Sequence, residues 1–332
     1  MASFKTKISG TGKYHPTKVM TNFDFEKLMD TNDQWITERT GIKERRIAKP
    51  EETTVSMSTA AAKMAITEAG IDPNEIDMIL FQVTMPDQFF PNSASFLQEA
   101  LGITNKCACL DINAACSGYL YGFTIADSLI KNGIYKNILL IGAEKTSAFN
   151  GFKDRNTAVL FGDAAGATLL SRAERSESSE VLGTILGSDS SKKDSLAMPN
   201  GGAASPITKE IIERGEEKLV VMNGQVVFKT AVKTMAQYSA ELLEKSGLGL
   251  DGLDWFIPHQ ANLRIIEAVA QMVNCPANKI ISNVDKYANT SSASIPVTIN
   301  EAVASGKIKR GDTILMTAFG AGLTSAGVLI RY

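Results

Sequence analysis

The chain of 332 residues has only two histidines, His15 and His259, so a His-rich metal centre cannot be assembled. Its four cysteines, Cys107, Cys109, Cys116 and Cys275, are too few to staple a chain of this length, and none falls in the C-x-x-C spacing of redox or zinc sites. A dominant charge is missing too. The 34 Lys and Arg nearly cancel the 36 Asp and Glu, and the net −2 argues against a broadly basic nucleic-acid footprint. No run of about eighteen uncharged apolar residues occurs, and Met1 to Gly10 alternates lysine with apolar residues instead of forming a secretory apolar stretch. The expectation is a soluble, unexported, cytoplasmic protein with reduced thiols, no membrane insertion, no nucleic-acid partner and no metal or redox cofactor.

What is present is a large core. Hydrophobic residues make up 44% of the chain, and a chain of this size buries about three quarters of its unfolded surface. Short apolar runs (Asp77–Val83, Ala108–Ile112, Asn137–Gly142, Ala164–Leu170) alternate with amphipathic stretches and Gly-rich turns, the pattern of an α/β protein with a buried sheet. Helices are predicted from Val55 to Ala69, stopped by Gly70, and after Cys116 to Lys131, stopped near Gly133. Ser188–Ser205 lacks periodicity and reads as a surface loop near the midpoint.

The two halves resemble each other. Setting Gly133 on Gly306 aligns a helix, a basic turn and an apolar strand in each half, and the same shift of 173 residues carries Cys116 onto Asn289. A shift of 177 sets Asp77–Gln82 opposite Asp254–His259 and puts His259 at a strand end. Two copies of one α/β unit are expected, residues 1–178 and 179–332, with a site where they meet.

Cys116, in Asn113-Ala-Ala-Cys-Ser-Gly118, follows an apolar strand and precedes a helix-like stretch. The positive end of a helix dipole there would lower the thiol pKa and favour a nucleophile; the alternative is a small buried hydrophobe. His259 opens a polar turn before a helix at Leu263–Met272, where α/β proteins present site residues, although a single His is more often a satisfied polar group. Asn289 fits a turn or a ligand contact. Phe319-Gly-Ala-Gly-Leu-Thr324 after the strand Thr313–Thr317 is either a tight sheet turn or a loop whose N–H groups face an oxyanion.

Asn113–Gly118, Pro258-His-Gln-Ala-Asn262 and Asn289-Thr-Ser-Ser-Ala-Ser-Ile-Pro296 resemble the nucleophile, histidine and asparagine motifs of the β-ketoacyl-acyl carrier protein synthase III family, and the likeness runs from Thr21-Asn22 to the C-terminus. The resemblance implies a thiolase-like duplicated fold with a five-layered α/β/α/β/α core, as a homodimer, and an acyltransferase starting type II fatty acid synthesis. An acyl-CoA primer would acylate Cys116, and malonyl-acyl carrier protein would then decarboxylate beside His259 and Asn289 and condense. It further implies an oxyanion hole from the backbone N–H groups of Cys116 and Ala321, coenzyme A contacts from Trp35, Arg39, Arg155, Gly224 and Asn262, and an acyl pocket shaped by Phe319 and by Phe90 from across a dimer. Phe90 would favour short primers such as acetyl. Carrier-protein docking falls to Lys229, Lys233 and Arg264. Two positions depart from the family pattern: Ala321 replaces the middle Gly of a Gly-Gly-Gly run, and Ser325 replaces a Trp. If φ at Ala321 is positive, that position is strained. Other readings of the residues are a related condensing enzyme of secondary metabolism, a Cys-His-Asn thiol hydrolase and a non-catalytic acyl-CoA binding protein.

Overall fold

The computed structural model describes residues 4–149, 151, 154–217 and 220–332. Two sheets organise it. The first contains β1 (Thr6–Tyr14), β2 (Met78–Gln82), β3 (Ala108–Ile112), β4 (Asn137–Glu144) and β5 (Ala164–Arg172), in the order β1-β5-β4-β2-β3. The second contains β6 (Glu180–Ser188), β7 (Trp255–Pro258), β8 (Thr313–Gly320) and β9 (Thr324–Arg331), in the order β6-β9-β8-β7. In each sheet the first three strands pair antiparallel and the fourth joins in parallel. The second sheet therefore repeats β1-β5-β4-β2 of the first, strand for strand. Even β3 has an echo, a single parallel bridge from Phe256 to Ile280.

The central strands are buried on both faces, as β2 and β4 show along their whole lengths, because helices cover each side. The helices that frame the sheets and the site are, in chain order, α1 (Asp33–Thr40), α2 (Thr54–Ala69), α3 (Gly118–Lys131), α4 (Gly224–Ser246), α5 (Leu263–Met272) and α6 (Ser294–Ala304). Helices α3 and α6 lie between the sheets: Tyr119, Phe123, Ile295 and Ile299 share one core with Leu80 and Leu140 of the first sheet and Met316 and Val328 of the second. Helix α2 covers the outer face of the first sheet through Met57, Ala61, Ala65 and Ile66, residues spaced to line one helix face. Helices α4 and α5 cover the outer face of the second. These are the five layers expected.

Local signals set the boundaries. Thr53 caps α2 by accepting the Ser56 N–H, and Gly70 ends it in the left-handed region. Gly133 and Gly306, equivalent under the repeat, follow α3 and α6 with φ of 73° and 71°. The repeat extends to Ala115 and Ala288, also 173 apart, with φ of 47° and 57° in the turns that carry Cys116 and Asn289.

Two expectations need correction. Ser188–Ser205 is not structureless: Asp189 caps a short helical turn at Ser190–Ser195, and Leu196–Ala197 pairs antiparallel with Val221–Met222. Those four apolar residues satisfy their backbone groups against each other, which a polar-composition reading overlooks. The strand predicted at Thr313–Thr317 runs on to Gly320 because β9 pairs with it along its full length, so the turn shrinks to Ala321–Leu323.

Candidate active site

A cavity of about 1240 Å³ opens between the halves, and Cys116, His259, Asn289 and Phe319 all line it. Each side chain arrives from a strand end or the turn before a helix. Cys116 lies in the turn Ala115–Ser117 that leads into α3, His259 follows β7, Asn289 precedes the turn into α6, and Phe319 is near the end of β8.

The thiol does not behave as its place before a helix suggested. Burial pushes Cys116 up to about 11, the Ser291 hydrogen bond opposes this, and the nearby Glu144 carboxylate adds to it. A helix terminus contributes about 0.3–1 kcal/mol, whereas desolvation of a buried group can move a pKa by about 3–5 units, so burial wins. Cys116 rests as a thiol, its Sγ donating to Ser291 Oγ at 3.4 Å.

His259 is 3% exposed, and burial holds its imidazole down to about 3, so it is neutral at physiological pH. Its Nδ1 lies 2.7 Å from Ser294 Oγ, and that oxygen also accepts the Gln260 N–H at 3.4 Å. Among the described residues Nδ1 is the one acceptor in reach of the Ser294 hydroxyl, whose oxygen already accepts from Gln260, so its proton goes to Nδ1. The arrangement favours the tautomer that carries hydrogen on Nε2. Asn289 is fixed in a comparable way: its Oδ1 accepts the Ser291 N–H at 2.8 Å, and its backbone is tied to Leu160 and Gly162. Among the described residues, that leaves Nδ2 as the free donor. Two neutral donors thus line the cavity that the thiol reaches.

At the turn after β8, Gly320 packs on the nucleophile's turn so closely that a Cβ there would come 2.7 Å from the Cys116 amide nitrogen. The Thr324 hydroxyl joins the two loops, accepting from Ser117 Oγ and donating to Ala114 O. Ala321 has no positive φ, so the anticipated strain is absent; the adjacent Gly322 takes φ 128° instead. Ser325 is buried and lies 3.2 Å from both Gly187 O and Tyr238 Oη.

The outer wall of the cavity includes Trp35, Arg39, Gly224, Asn262, Lys229 and Arg264. The Arg39 and Arg155 guanidinium carbons sit 4.6 Å and 4.9 Å from the Trp35 ring centroid, a cationic pair about one aromatic platform. Arg155 is not part of the wall itself, and it donates to Asp30 O at 2.8 Å. Asn262 caps α5 with its Oδ1 and donates Nδ2 to Arg39 O, so it joins the wall of the second half to that of the first. Gly224 begins α4, and a Cβ there would meet nothing. Lys229 and Lys233 are exposed one turn apart on α4, while the Arg264 guanidinium lies 5.9 Å from the Phe228 ring. Lys233 and Ala321 stand outside the wall, as does Phe90, which is 85% exposed beside Phe89 at 83%. Among the described residues no group of three or more His, Cys, Asp or Glu is placed to hold a metal ion, and no helix is long and apolar enough to cross a membrane.

Sequence reasoning missed Ser291, Ser294 and Glu144. The serines lie inside the asparagine motif and were legible as polar residues entering an apolar helix. Glu144 offered a weaker signal, an acid closing the apolar run of β4. It is 1% exposed, burial raises it to about 7, and it accepts from Thr84, Ser291 and Ser292.

Comparison with known proteins decides the family. The 3-oxoacyl-[acyl-carrier-protein] synthase III model matches residues 110–190 and its C-terminal companion matches 243–332. The chain is 46% identical to the β-ketoacyl-[acyl-carrier-protein] synthase III of Caldanaerobacter subterraneus, covering 98% of this chain and 97% of the relative. The chain belongs to the 3-oxoacyl-[acyl-carrier-protein] synthase III family. The crystal structure of the Aquifex aeolicus synthase III is 47% identical with a TM-score of 0.91, covering 98% of this chain and all of that one. A priming β-ketosynthase from a polyketide biosynthetic pathway is 31% identical with a TM-score of 0.90, covering 99% and 96%. The two-sheet, five-layer architecture is the thiolase fold of these enzymes.

Proposed function

We propose that this acyltransferase starts dissociated, type II fatty acid synthesis by condensing an acyl-CoA primer, acetyl-CoA by preference, with malonyl-acyl carrier protein. The observation that carries the reading is the meeting of Cys116, His259 and Asn289 in one cavity built from both halves. Residues 1–178 supply the nucleophile and 179–332 the two donors.

Cys116 attacks the thioester carbonyl, the backbone N–H groups of Cys116 and Ala321 hold the oxyanion, and coenzyme A departs as its thiol. Malonyl-acyl carrier protein then loses carbon dioxide, and His259 Nε2–H and Asn289 Nδ2–H stabilise the enolate oxygen. A neutral His259, enforced by burial, suits that step because it donates without carrying charge into an apolar site. The enolate carbon attacks the acyl-Cys116 carbonyl and expels the thiolate. Coenzyme A enters as substrate, its adenine against Trp35 between Arg39 and Arg155 and its pantetheine arm past Asn262 and Gly224. The reading assigns no resident cofactor, no membrane-inserted segment and no nucleic-acid partner, and it places the enzyme in the cytoplasm.

Lys229, Lys233 and Arg264 present positive charge beside the mouth, where an acidic carrier protein would dock. A homodimer fits the exposed apolar residues near edge strand β3, Leu110 with Phe89 and Phe90, and in that dimer Phe90 would cap the partner's acyl pocket. The similarity to a polyketide priming enzyme supports a second reading, in which the primer is longer or branched. Intact-protein mass spectrometry after exposure to a panel of acyl-CoA thioesters, with Cys116→Ser as control, separates the two. A Cys116-dependent acetyl adduct discharged by malonyl-acyl carrier protein supports the first; selective labelling by longer acyl chains supports the second. An adduct that forms equally on Cys116→Ser refutes both.

A further inference from the structure

Acylation as proposed requires the Cys116 thiol to lose its proton, and His259 is poorly arranged to take it. In the tautomer that Ser294 favours, Nε2 already carries hydrogen and Nδ1 is occupied. A different acceptor stands behind the sulfur. Cys116 Sγ donates to Ser291 Oγ at 3.4 Å, and Ser291 Oγ donates to Glu144 Oε1, again at 3.4 Å. The Glu144 carboxylate is held by the Thr84 N–H at 3.1 Å, the Thr84 hydroxyl at 2.8 Å and the Ser292 hydroxyl at 3.0 Å. Among the described residues it has no ion-pair partner, and the neighbouring Lys145 Nζ is spent on the carbonyl groups of Lys49, Pro50 and Glu52. A buried carboxylate without a counter-ion is costly unless it binds a proton readily.

We propose that Glu144 receives the Cys116 proton through the Ser291 hydroxyl and keeps it for the lifetime of the acyl-enzyme. The inference rests on the condensation reading above and adds a proton path to it. As the Cys116 sulfur bonds to the thioester carbon, its hydrogen passes to Ser291 Oγ and the Ser291 hydrogen passes to Glu144 Oε1. The carbon–sulfur bond to coenzyme A breaks, and the departing thiolate takes a proton from solvent. When condensation later expels the Cys116 thiolate, the path runs backwards: Glu144 returns its proton through Ser291, and thiol and carboxylate are restored. One solvent proton is consumed per turnover, matching the coenzyme A thiol released. The relay spans the two halves, with Glu144 at the end of β4 and Ser291 in the turn before α6.

The test compares Glu144→Gln, Glu144→Asp and Ser291→Ala with the wild type in two assays: rapid-quench acylation of Cys116 by acetyl-CoA, and decarboxylation of malonyl-acyl carrier protein. Glutamine keeps the shape and cannot take the proton, so acylation should slow about 100-fold, the usual scale of a lost general base. Its loss should exceed that in decarboxylation at least about tenfold. Ser291→Ala should behave the same way, its backbone tolerated because Ala115 and Ala288 already hold similar φ values. Glu144→Asp, which retains a base, should recover part of the rate. The relay is overturned if Glu144→Gln acylates at the wild-type rate, or if both assays fall by one factor, the mark of a structural role. Should Glu144→Gln fail to fold, Ser291→Ala decides alone, and unchanged acylation there is equally fatal. If the wild-type enzyme is never acylated, the condensation reading itself falls, a result distinct from loss of the relay.

Discussion

Replacing Gly320 with alanine tests whether the backbone beside Cys116 is built to atomic tolerance. The added Cβ would stand 2.7 Å from the Cys116 amide nitrogen, 3.2 Å from the Ser117 nitrogen and 3.3 Å from Ala115 Cβ. Ordinary contact starts near 3.4 Å, so the amide that would hold the oxyanion must retreat by about 0.7 Å. The φ of −149° at Gly320 suits any residue, so steric displacement, not backbone strain, is the whole effect. Overpacking of this kind costs about 1–3 kcal/mol, a shift in Tm of several degrees that a chain of this size can absorb. The catalytic loss should be larger than the stability loss implies. Oxyanion donors must sit within hydrogen-bond distance of the developing charge, and loss of one costs about 10²–10³ in rate. Stopped-quench acylation by acetyl-CoA and a thermal melt on the same preparation measure both. A folded Gly320→Ala enzyme that acylates at the wild-type rate would show that the Cys116 amide plays no part.

Ser294→Ala removes the partner of His259 Nδ1, leaving a buried nitrogen unsatisfied at a cost of about 1–3 kcal/mol and freeing the other tautomer. Decarboxylation of malonyl-acyl carrier protein should fall at least about tenfold while acylation falls less, and equal loss in both assays argues against tautomer control. Trp35→Ala should raise KM for acyl-CoA about tenfold with kcat little changed, as expected when a remote stacking contact is lost; a kcat effect alone would refute the adenine platform. Lys229→Glu combined with Arg264→Glu should raise KM for the carrier protein and weaken its salt dependence, and insensitivity to salt in both enzymes would count against electrostatic docking. Acid should destabilise the fold through its histidines. His15 and His259 are both depressed from 6.5 to about 3 by burial, so their contribution is intact above pH 6.5 and is lost as pH falls toward 3. Glu144, raised from 4.5 to about 7, works in the opposite sense and offsets part of that loss down to about pH 4.5. His15→Phe keeps the ring stacked 3.7 Å from Tyr287 and deletes one titration, so its Tm should drop less than the wild type between pH 6.5 and 4; parallel curves would refute the assignment.

Much of this was legible in the chain because backbone geometry repeats where sequence repeats. The shift that set Gly133 on Gly306 is the one that relates the positive φ at Ala115 and Ala288, and the pairing of Asp77–Gln82 with Asp254–His259 reappears as β2 and β7 in matching sheet positions. Local signals of this kind survive in a sequence because a capping glycine or a buried strand constrains its own residues. Leu196–Ala197 was invisible for the converse reason: a two-residue strand acquires its pairing only from Val221–Met222, far away in the chain.

The charge states of the site lie on the same divide. That Cys116 precedes a helix is a local fact, and it pointed to an acidic thiol. What surrounds the sulfur is a tertiary fact, with Ser291 from the other half and Glu144 from the end of β4, two strands across the sheet from β3, and it reverses the sign. A nucleophile assembled this way gains little from its own helix and needs a proton acceptor from its surroundings. The duplicated fold provides one: the turn that presents Asn289 to the cavity also carries Ser291, two residues on, to the sulfur and the buried carboxylate. Any change that moves this turn should therefore disturb acylation and decarboxylation together, whereas changes confined to Glu144 should divide them.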